Sequence, residues 1–568
     1  MQRNRDILSG YENMPLLYYT DDAASKLPNI VSYEDLPNRD IVGVLKSNRY
    51  VDGKLVQQYT TNENHVGVIA ATRLGKTTSY IIPTILSNAN RKVKRSFIVS
   101  DCKGEIYRTT AVTLRNAGYK VKLINFRDYL HSECWNPLTP IFRKYQRALH
   151  IADEVQAVDL PNNCYGYEFQ GEVYSNQLDL DKVIRRVKKM IIDDAYNDID
   201  QIATTIINSE ATKEPYWTDS ARELLKAFLI AMLEDSTKAV DPITEETYSF
   251  NTILELSGSM SAADEKRFND EGYFSRRPSQ SKAYKIVKGI LINNAGTTAA
   301  CILSIFYSCM AVFKDVAPRV ITSANSFEMS ELIDGPTAVF IDYRDESKMH
   351  YQLISLFVQE TYKYLIGYAN EQPMGKLEVP FYMILDEFGN YPKINNFETV
   401  ISASGGRNIY FILVLQSYAQ LGNVYGKDVA EIIRDNLNMH VFFGSNNPET
   451  LEMFSKECGK ITRVSPISAY NGSKDYVEKY EIETIPSVPK SMLSHFEPGE
   501  CIITEANSGY VLFSRLERYF LCDEFKNLPQ EECKQYKCSI NPFDEKYTYS
   551  PQSSGAKKSL FDDFNFDF

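Results

Sequence analysis

Val66-Gly67-Val68-Ile69-Ala70-Ala71-Thr72-Arg73-Leu74-Gly75-Lys76-Thr77-Thr78 is the stretch on which the reading of this chain turns. A short apolar run ends in a Gly-Lys-Thr turn, a helical pattern follows, and a second apolar run stands at 97–99. That alternation predicts a parallel α/β sheet. The turn has the spacing of a phosphate-binding loop, with Ala70 where the strict pattern has its first glycine. In such a loop the backbone N–H groups of Thr72, Arg73, Leu74, Gly75, Lys76, Thr77 and Thr78 surround phosphate oxygens. Lys76 bridges the terminal phosphates and the Thr77 hydroxyl ligates Mg²⁺. Gly75 is required because a side chain there would crowd the phosphate. Pro83, inside the following helix, lacks a backbone donor and should kink or end it.

Working outward, helical spacing over 106–117 ends at Gly118 and leads into a third strand candidate at 121–126. From 142 to 293 long β-branched runs give way to helical spacing, as in Val183, Val187, Met190, Ile191 and in Leu224, Leu225, Phe228, Leu229, Met232. Strand signals resume at 338–341, 381–385, 410–415 and 441–443. The predicted fold class is therefore α/β, a parallel sheet interrupted by a mostly helical insertion. Five segments follow: an N-terminal segment without a membrane anchor (1–64), the first part of the nucleotide-binding domain (65–145), the insertion (146–292), the second part of the domain (293–525) and an acidic-aromatic tail (526–568).

The chain has 568 residues, with 62 Lys+Arg against 74 Asp+Glu, so its net charge is −12. No global positive field holds a polyanion, and any nucleic-acid contact must be local. Two basic clusters are candidates, Arg91-Lys92-Val93-Lys94-Arg95 and Arg185-Arg186-Val187-Lys188-Lys189, although solvated surface is the more common explanation of such runs. Ten cysteines without a C-x-x-C pair or a secretory leader read as reduced thiols. Cys522, Cys533 and Cys538 lack zinc-site spacing. The most apolar stretches, 227–233 and 411–415, fall short of the roughly 18 to 20 residues that cross a bilayer.

Phe381-Tyr382-Met383-Ile384-Leu385-Asp386-Glu387 reads as a buried strand ending in two carboxylates, the second half of an NTPase signature. Asp386 is expected on the Mg²⁺ shell and Glu387 on the attacking water. The next strand delivers Gln416 and Ser417 at the sheet edge where ligands of doubly wound folds collect, so Gln416 suits a γ-phosphate sensor. Gly405-Gly406-Arg407 presents an arginine on a glycine-rich turn, suited to a charge offered in trans. Asp101-Cys102-Lys103-Gly104-Glu105 reads as a turn before a helix.

These motifs together resemble the coupling proteins of conjugative type IV secretion, the TraG/TraD-like group within the FtsK/HerA class of DNA motors. The resemblance spans 65–525 and rests on the 65–80 segment, Asp101-Cys102-Lys103-Gly104-Glu105-Ile106-Tyr107, Trp135-Asn136-Pro137-Leu138, Tyr216-Trp217, Thr297-Thr298-Ala299-Ala300, Asp386-Glu387-Phe388-Gly389-Asn390-Tyr391-Pro392-Lys393 and Leu415-Gln416-Ser417, in the family's order. It implies a RecA-like P-loop NTPase sheet with an inserted all-α domain, an ATPase that uses ATP and Mg²⁺ in a homo-hexameric ring. Such a motor moves single- or double-stranded DNA without sequence preference and receives relaxase and protein substrates for the secretion-channel proteins. Carried over by position, Lys76, Thr77, Asp386, Glu387 and Gln416 form the nucleotide site, with Arg407 the least direct transfer.

Family members usually carry an N-terminal membrane anchor, whereas 1–64 here is polar. A soluble variant, a truncated chain and one anchored by a partner all fit that polarity, and the expectation is a cytoplasmic chain, peripheral at the inner face of the cell membrane, reaching the membrane only through a partner. The alternatives are a DNA translocase unlinked to secretion and a nucleotide-binding substrate adaptor that does not cycle. In the tail, Leu560, Phe561, Phe564, Phe566 and Phe568 alternate with Asp, a composition suited to a basic, apolar groove on a partner.

Overall fold

The structure is a computed structural model, and it describes residues 17–18, 30–51, 53–160, 164–208, 215–258, 273–274, 277–292, 296–344, 348–470, 476–506 and 511–549. The chain divides into two compact units: Met1–Leu123, Met329–Ser347 and Thr361–Gln535 form one, and Ile124–Glu328, Lys348–Glu360 and Tyr536–Phe568 the other.

Apolar runs of five to seven residues, without polar alternation, suit strands covered on both faces. In the first unit they build the centre of a ten-stranded sheet. Its order is Leu17–Tyr18, Val511–Arg515, Glu500–Glu505, Met439–Gly444, Val66–Ala70, Ile409–Leu415, Phe381–Leu385, Phe97–Asp101, Thr337–Asp342 and Lys120–Asn125. The strands from Met439–Gly444 through Thr337–Asp342 pair in parallel. Glu500–Glu505 is antiparallel to both of its neighbours. Val66–Ala70, Phe97–Asp101 and Phe381–Leu385 are buried along their whole length.

Register decides what the sheet presents at its carboxyl edge. Leu415 lies beside Ile69, Leu385 beside Leu413, and Leu385 also beside Ser100. The loops that follow Ala70, Leu385 and Leu415 therefore leave the sheet at one level. The helix after the phosphate-loop turn begins as a π-helical turn, Lys76–Ile81, and becomes α-helical at Ile82–Asn90. Pro83 sits at that junction, in the first turn of the α-helical part, where a missing N–H is tolerated. The expected interruption is thus a change of helix type.

Residues 30–59 add a three-stranded antiparallel sheet that an apolar pattern does not reveal, because its strands carry buried polar groups. Gln57 donates to Asn48 Oδ1 at 2.9 Å and to Ser87 Oγ at 2.7 Å, and the Tyr59 hydroxyl donates to Gln57 Oε1 at 2.6 Å. Each amide is satisfied, so burial costs little. The two arginines of the first basic cluster are also internal, while Lys92 is exposed and Lys94 half-buried. Arg95 pairs with Glu63, to which the Tyr382 hydroxyl donates as well. Arg91 lies 4.3 Å over the Tyr59 ring and donates to the Gly43 carbonyl. Both arginines are buried, which corrects the expectation for Arg91 and Arg95 but not for Lys92, which lies on the surface.

The second unit is mostly helical, with long helices at Gln177–Ile206 and Pro215–Asp235. The expected insertion did not include a small antiparallel sheet, Gln156–Leu160, Cys164–Phe169 and Glu172–Tyr174. Its second turn uses Gln170 and Gly171 at positive φ, the local hairpin chemistry that helical spacing masks. One window, Thr297–Lys314, reaches a mean hydropathy of 1.5 and a length that crosses a bilayer, contrary to expectation. Its Ile302, Leu303, Phe306 and Met310 are buried, and the Phe306 ring stacks 5.6 Å from Phe228.

Residues 526–549, expected within the tail, lend side chains to each unit. Glu531 binds the Tyr107 hydroxyl and Arg115 in the first, and Tyr536 donates to Glu133 in the second. The acidic-aromatic end, 560–568, lies outside the described residues.

Burial alone would raise the Glu63 carboxyl, yet Arg95, the Tyr382 hydroxyl and Arg91 hold it below its ordinary value. Removing that carboxylate strands two buried guanidinium groups, and breaking such a pair costs about 3–5 kcal/mol. Glu63→Ala is therefore expected to lower the unfolding free energy by that amount, measured in denaturant with an intrinsic fluorescence probe.

Candidate functional site

The turn after Val66–Ala70 needs backbone conformations that few residues adopt. Gly75 has φ +96° and Arg73 φ +70°, and the reversal aims successive N–H groups into one concavity. Thr72 and Arg73 are exposed, while Leu74 through Thr78 are partly covered. Ser79 N–H donates to the Gly75 carbonyl at 2.7 Å and closes the first helical turn.

Phe381–Leu385 ends at Asp386, which is 4 % exposed. Its N–H donates to Ser100 Oγ at 2.8 Å, while its carboxylate accepts the Glu387 N–H at 2.9 Å. Glu387 adopts φ +53°, a left-handed conformation uncommon for a side-chain-bearing residue, and this turns its carboxylate toward the phosphate loop. Lys76 Nζ lies 3.5 Å from Asp386 Oδ1 and is paired with Glu387 Oε1. Gln416 Nε2 donates to Glu387 Oε2 at 3.0 Å, and Gln416 N–H is held by Gln420 Oε1 at 2.9 Å. Three loops thus place Lys76, Asp386, Glu387 and Gln416 in one cluster.

The electrostatics follow from burial against pairing. Burial disfavours the Lys76 ammonium, but Asp386 and Glu387 outweigh it and raise its pKa. Burial pushes the Asp386 carboxyl up, with Lys76 opposing. Burial also pushes the Cys102 thiol up to about 12, so it is a neutral neighbour.

Arg407 is elsewhere. It stands at the amino end of Ile409–Leu415, whose carboxyl end carries Gln416, so the two are separated by seven strand residues, on the order of 23 Å. Its guanidinium donates to the Ala403 carbonyl at 3.0 Å and to Asn370 Oδ1 at 3.3 Å. In the 101–105 turn, Asp101 caps the following helix, accepting the Tyr107 N–H at 2.9 Å. Sequence reasoning places this buried acid only in a turn, and its strand-end position, beside Asp342 in the sheet, is the signal that could have found it.

The residues present suit a magnesium-bound nucleotide. Among the described residues no three His, Cys, Asp or Glu side chains converge into a metal cage. Mg²⁺ is held by one or two protein oxygens together with the substrate phosphates. Asp386 brings a hard oxygen donor to 3.5 Å from Lys76 Nζ, and Thr77, the next residue after Lys76, carries a hydroxyl of the same chemistry.

Residues 29–479 match the family described as Type IV secretory system conjugative DNA transfer, and the chain belongs to that family. It is 23 % identical over 475 residues to the conjugal transfer protein TraG of Escherichia coli, covering 79 % of this chain and 63 % of the relative. To the protein VirD4 of Rhizobium rhizogenes it is 19 % identical over 430 residues, covering 75 % and 54 %. The chain thus spans less than two thirds of the length of these relatives. Among solved structures, the bacterial conjugative coupling protein TrwBdeltaN70 superposes with TM-score 0.55 at 15 % identity, covering 86 % of this chain and 92 % of that one. The plasmid coupling protein TrwB in complex with ADP and Mg²⁺ superposes with TM-score 0.52 at 15 % identity, covering 86 % and 93 %.

Burial raises Asp101 to about 7 from 3.8. The folded chain therefore binds this proton more tightly than the unfolded chain. Its contribution to stability is complete below pH 3.8 and is lost as pH rises toward 7. Asp101→Asn removes the titration. Without nucleotide, the variant is expected to gain on wild type by about 1.4 kcal/mol for each pH step across that window, seen in unfolding free energies measured from pH 4 to pH 7.

Proposed function

We propose that this chain is the ATP-driven motor of conjugative DNA transfer, a P-loop ATPase that recruits relaxase–DNA or protein substrates and moves DNA toward a type IV secretion channel. The observation that carries the reading is Lys76 held between Asp386 and Glu387, with Gln416 on the same carboxylate. The family match and the TrwB complex with ADP and Mg²⁺ support it.

Terminal phosphates compete with the two carboxylates for Lys76. When the ammonium turns to the phosphates, Glu387 loses its cation and becomes free to orient and deprotonate a water, while Gln416 keeps that carboxylate aimed. Thr77 and Asp386 would hold Mg²⁺, which, when bound, neutralises charge on the phosphate oxygens. Arg407, at the far end of the sheet from its own chain's Lys76, is offered to a neighbouring subunit's nucleotide in a homo-hexamer. In this reading the motor works at the inner face of the cell membrane through a partner.

Among the basic residues, Arg185, Arg186 and Lys189 on Gln177–Ile206 are exposed, and none makes an ion pair with another described residue. They suit a DNA backbone. On the −12 chain they form a local positive stripe.

The test is turnover and binding together. Wild type is expected to hydrolyse ATP; Lys76→Ala loses nucleotide affinity, and Glu387→Gln keeps affinity but loses turnover by about a hundredfold or more. Turnover that persists in Glu387→Gln would remove the assigned base, and a wild type that binds without turnover would leave the adaptor reading. For DNA, replacing Arg185, Arg186 and Lys189 by Ala is expected to weaken binding and to flatten the plot of log affinity against log salt by roughly 0.7–0.9 for each phosphate left unneutralised. An unchanged slope in fluorescence anisotropy would exclude this stripe.

A further inference from the structure

The buried and half-buried arginines of the first unit find protein partners: Arg95 pairs with Glu63, Arg115 with Glu531, Arg91 donates to the Gly43 carbonyl over the Tyr59 ring, and Arg407 donates to the Ala403 carbonyl. Arg518 departs from this pattern. Its neighbour Glu517 is engaged by Arg515 Nε at 2.6 Å, and Arg518 makes no ion pair with any described residue. Its Nε is buried and has no hydrogen-bond partner among them.

The place where this charge stands is defined by backbone. The Glu517 N–H donates to the Asn48 carbonyl at 3.0 Å and the Leu521 N–H to the Arg518 carbonyl at 2.9 Å, so the chain is pinned on both sides of Arg518. The Tyr519–Leu521 turn lies against Lys76–Ile81. A methyl group placed on Gly75 would come 3.0 Å from Ser79 Oγ, 3.4 Å from Thr78 Oγ1 and 3.8 Å from Arg518 Nε. Ser79 is fully buried and its hydroxyl, like Arg518 Nε, has no partner among the described residues. A partly desolvated cation, whose guanidinium otherwise lies 5.9 Å over the Phe520 ring, and a buried hydroxyl, with Arg518 Nε and Ser79 Oγ both lacking a hydrogen-bond partner among the described residues, thus share the glycine face of the phosphate loop. Leaving such groups unpaired is costly, and an anion accepting from both removes the cost.

Which phosphate they meet follows from direction. Lys76, drawn toward Asp386 and Glu387, marks the side of the terminal phosphates. Thr78 and Ser79 continue the helix away from that side, where a phosphate loop holds the α-phosphate. Resting on the nucleotide reading above, we infer that Arg518 is a further substrate-binding residue, a cation supplied in cis to the α-phosphate of the bound nucleotide, with Ser79 beside it.

The experiment titrates the full chain with ATP, ADP, AMP and adenosine, by competition against a fluorescent ADP, for wild type, Arg518→Ala, Arg518→Gln and Lys76→Ala. An α-phosphate contact predicts that both Arg518 variants lose about tenfold in affinity for ATP, ADP and AMP alike, while adenosine binding stays as in wild type. The melting temperature without nucleotide should not fall, because an uncompensated charge has been removed. Loss for ATP alone, loss that includes adenosine, no loss for any ligand, or a lower melting temperature without nucleotide each overturns the assignment. These outcomes are distinct from failure of the nucleotide reading, in which wild type itself binds neither ATP nor ADP and Lys76→Ala changes nothing.

Discussion

One ammonium group shared by two carboxylates organises the functional edge of this protein. Lys76 follows one strand and Asp386 and Glu387 another, and the Ile409–Leu415 strand lies between them. Two interstrand spacings amount to about 10 Å, which a lysine and a glutamate together span. The pairing therefore exists only if all three strands end at the same level, and the parallel register brings them there. A one-residue slip would turn every side chain of a strand to the opposite face and separate the charges.

The same geometry couples structure to chemistry. A buried carboxylate pair without a cation would carry a large desolvation cost, and Lys76 offsets it without a ligand. In the proposed function a polyphosphate draws on that same cation, which would make substrate binding and release of Glu387 one event. The intervening strand contributes through Gln416, which donates to Glu387 Oε2, the carboxylate oxygen that Lys76 does not engage.

Several elements were legible in advance because their signal is local. The buried strands at Phe97–Asp101, Phe381–Leu385 and Ile409–Leu415 announce themselves by unbroken apolar runs, and the Gly75-Lys76 turn by its spacing. Others were hidden for a physical reason. The 30–59 sheet buries Gln57, Asn48 and Tyr59 in mutual hydrogen bonds, so its core reads as polar. Arg91 and Arg95 look like surface charges until Glu63 and Tyr59 are seen against them. Arg518 carries no motif, and only its proximity to Gly75 distinguishes it.

What the amino-acid order determined by itself was the identity of the chemical groups and the strand ends that bear them: a lysine after a glycine turn, two acids after an apolar run, a glutamine after the next. Helical and strand periods are properties of neighbouring residues, so they need no distant information. The tertiary structure decided which of these groups meet. It placed Glu387 rather than solvent against Lys76 and Arg407 at the opposite end of a strand from Gln416, and it set an unpaired arginine from the chain's last third beside the phosphate loop. Such contacts depend on strand order and register across hundreds of residues, which local composition does not encode.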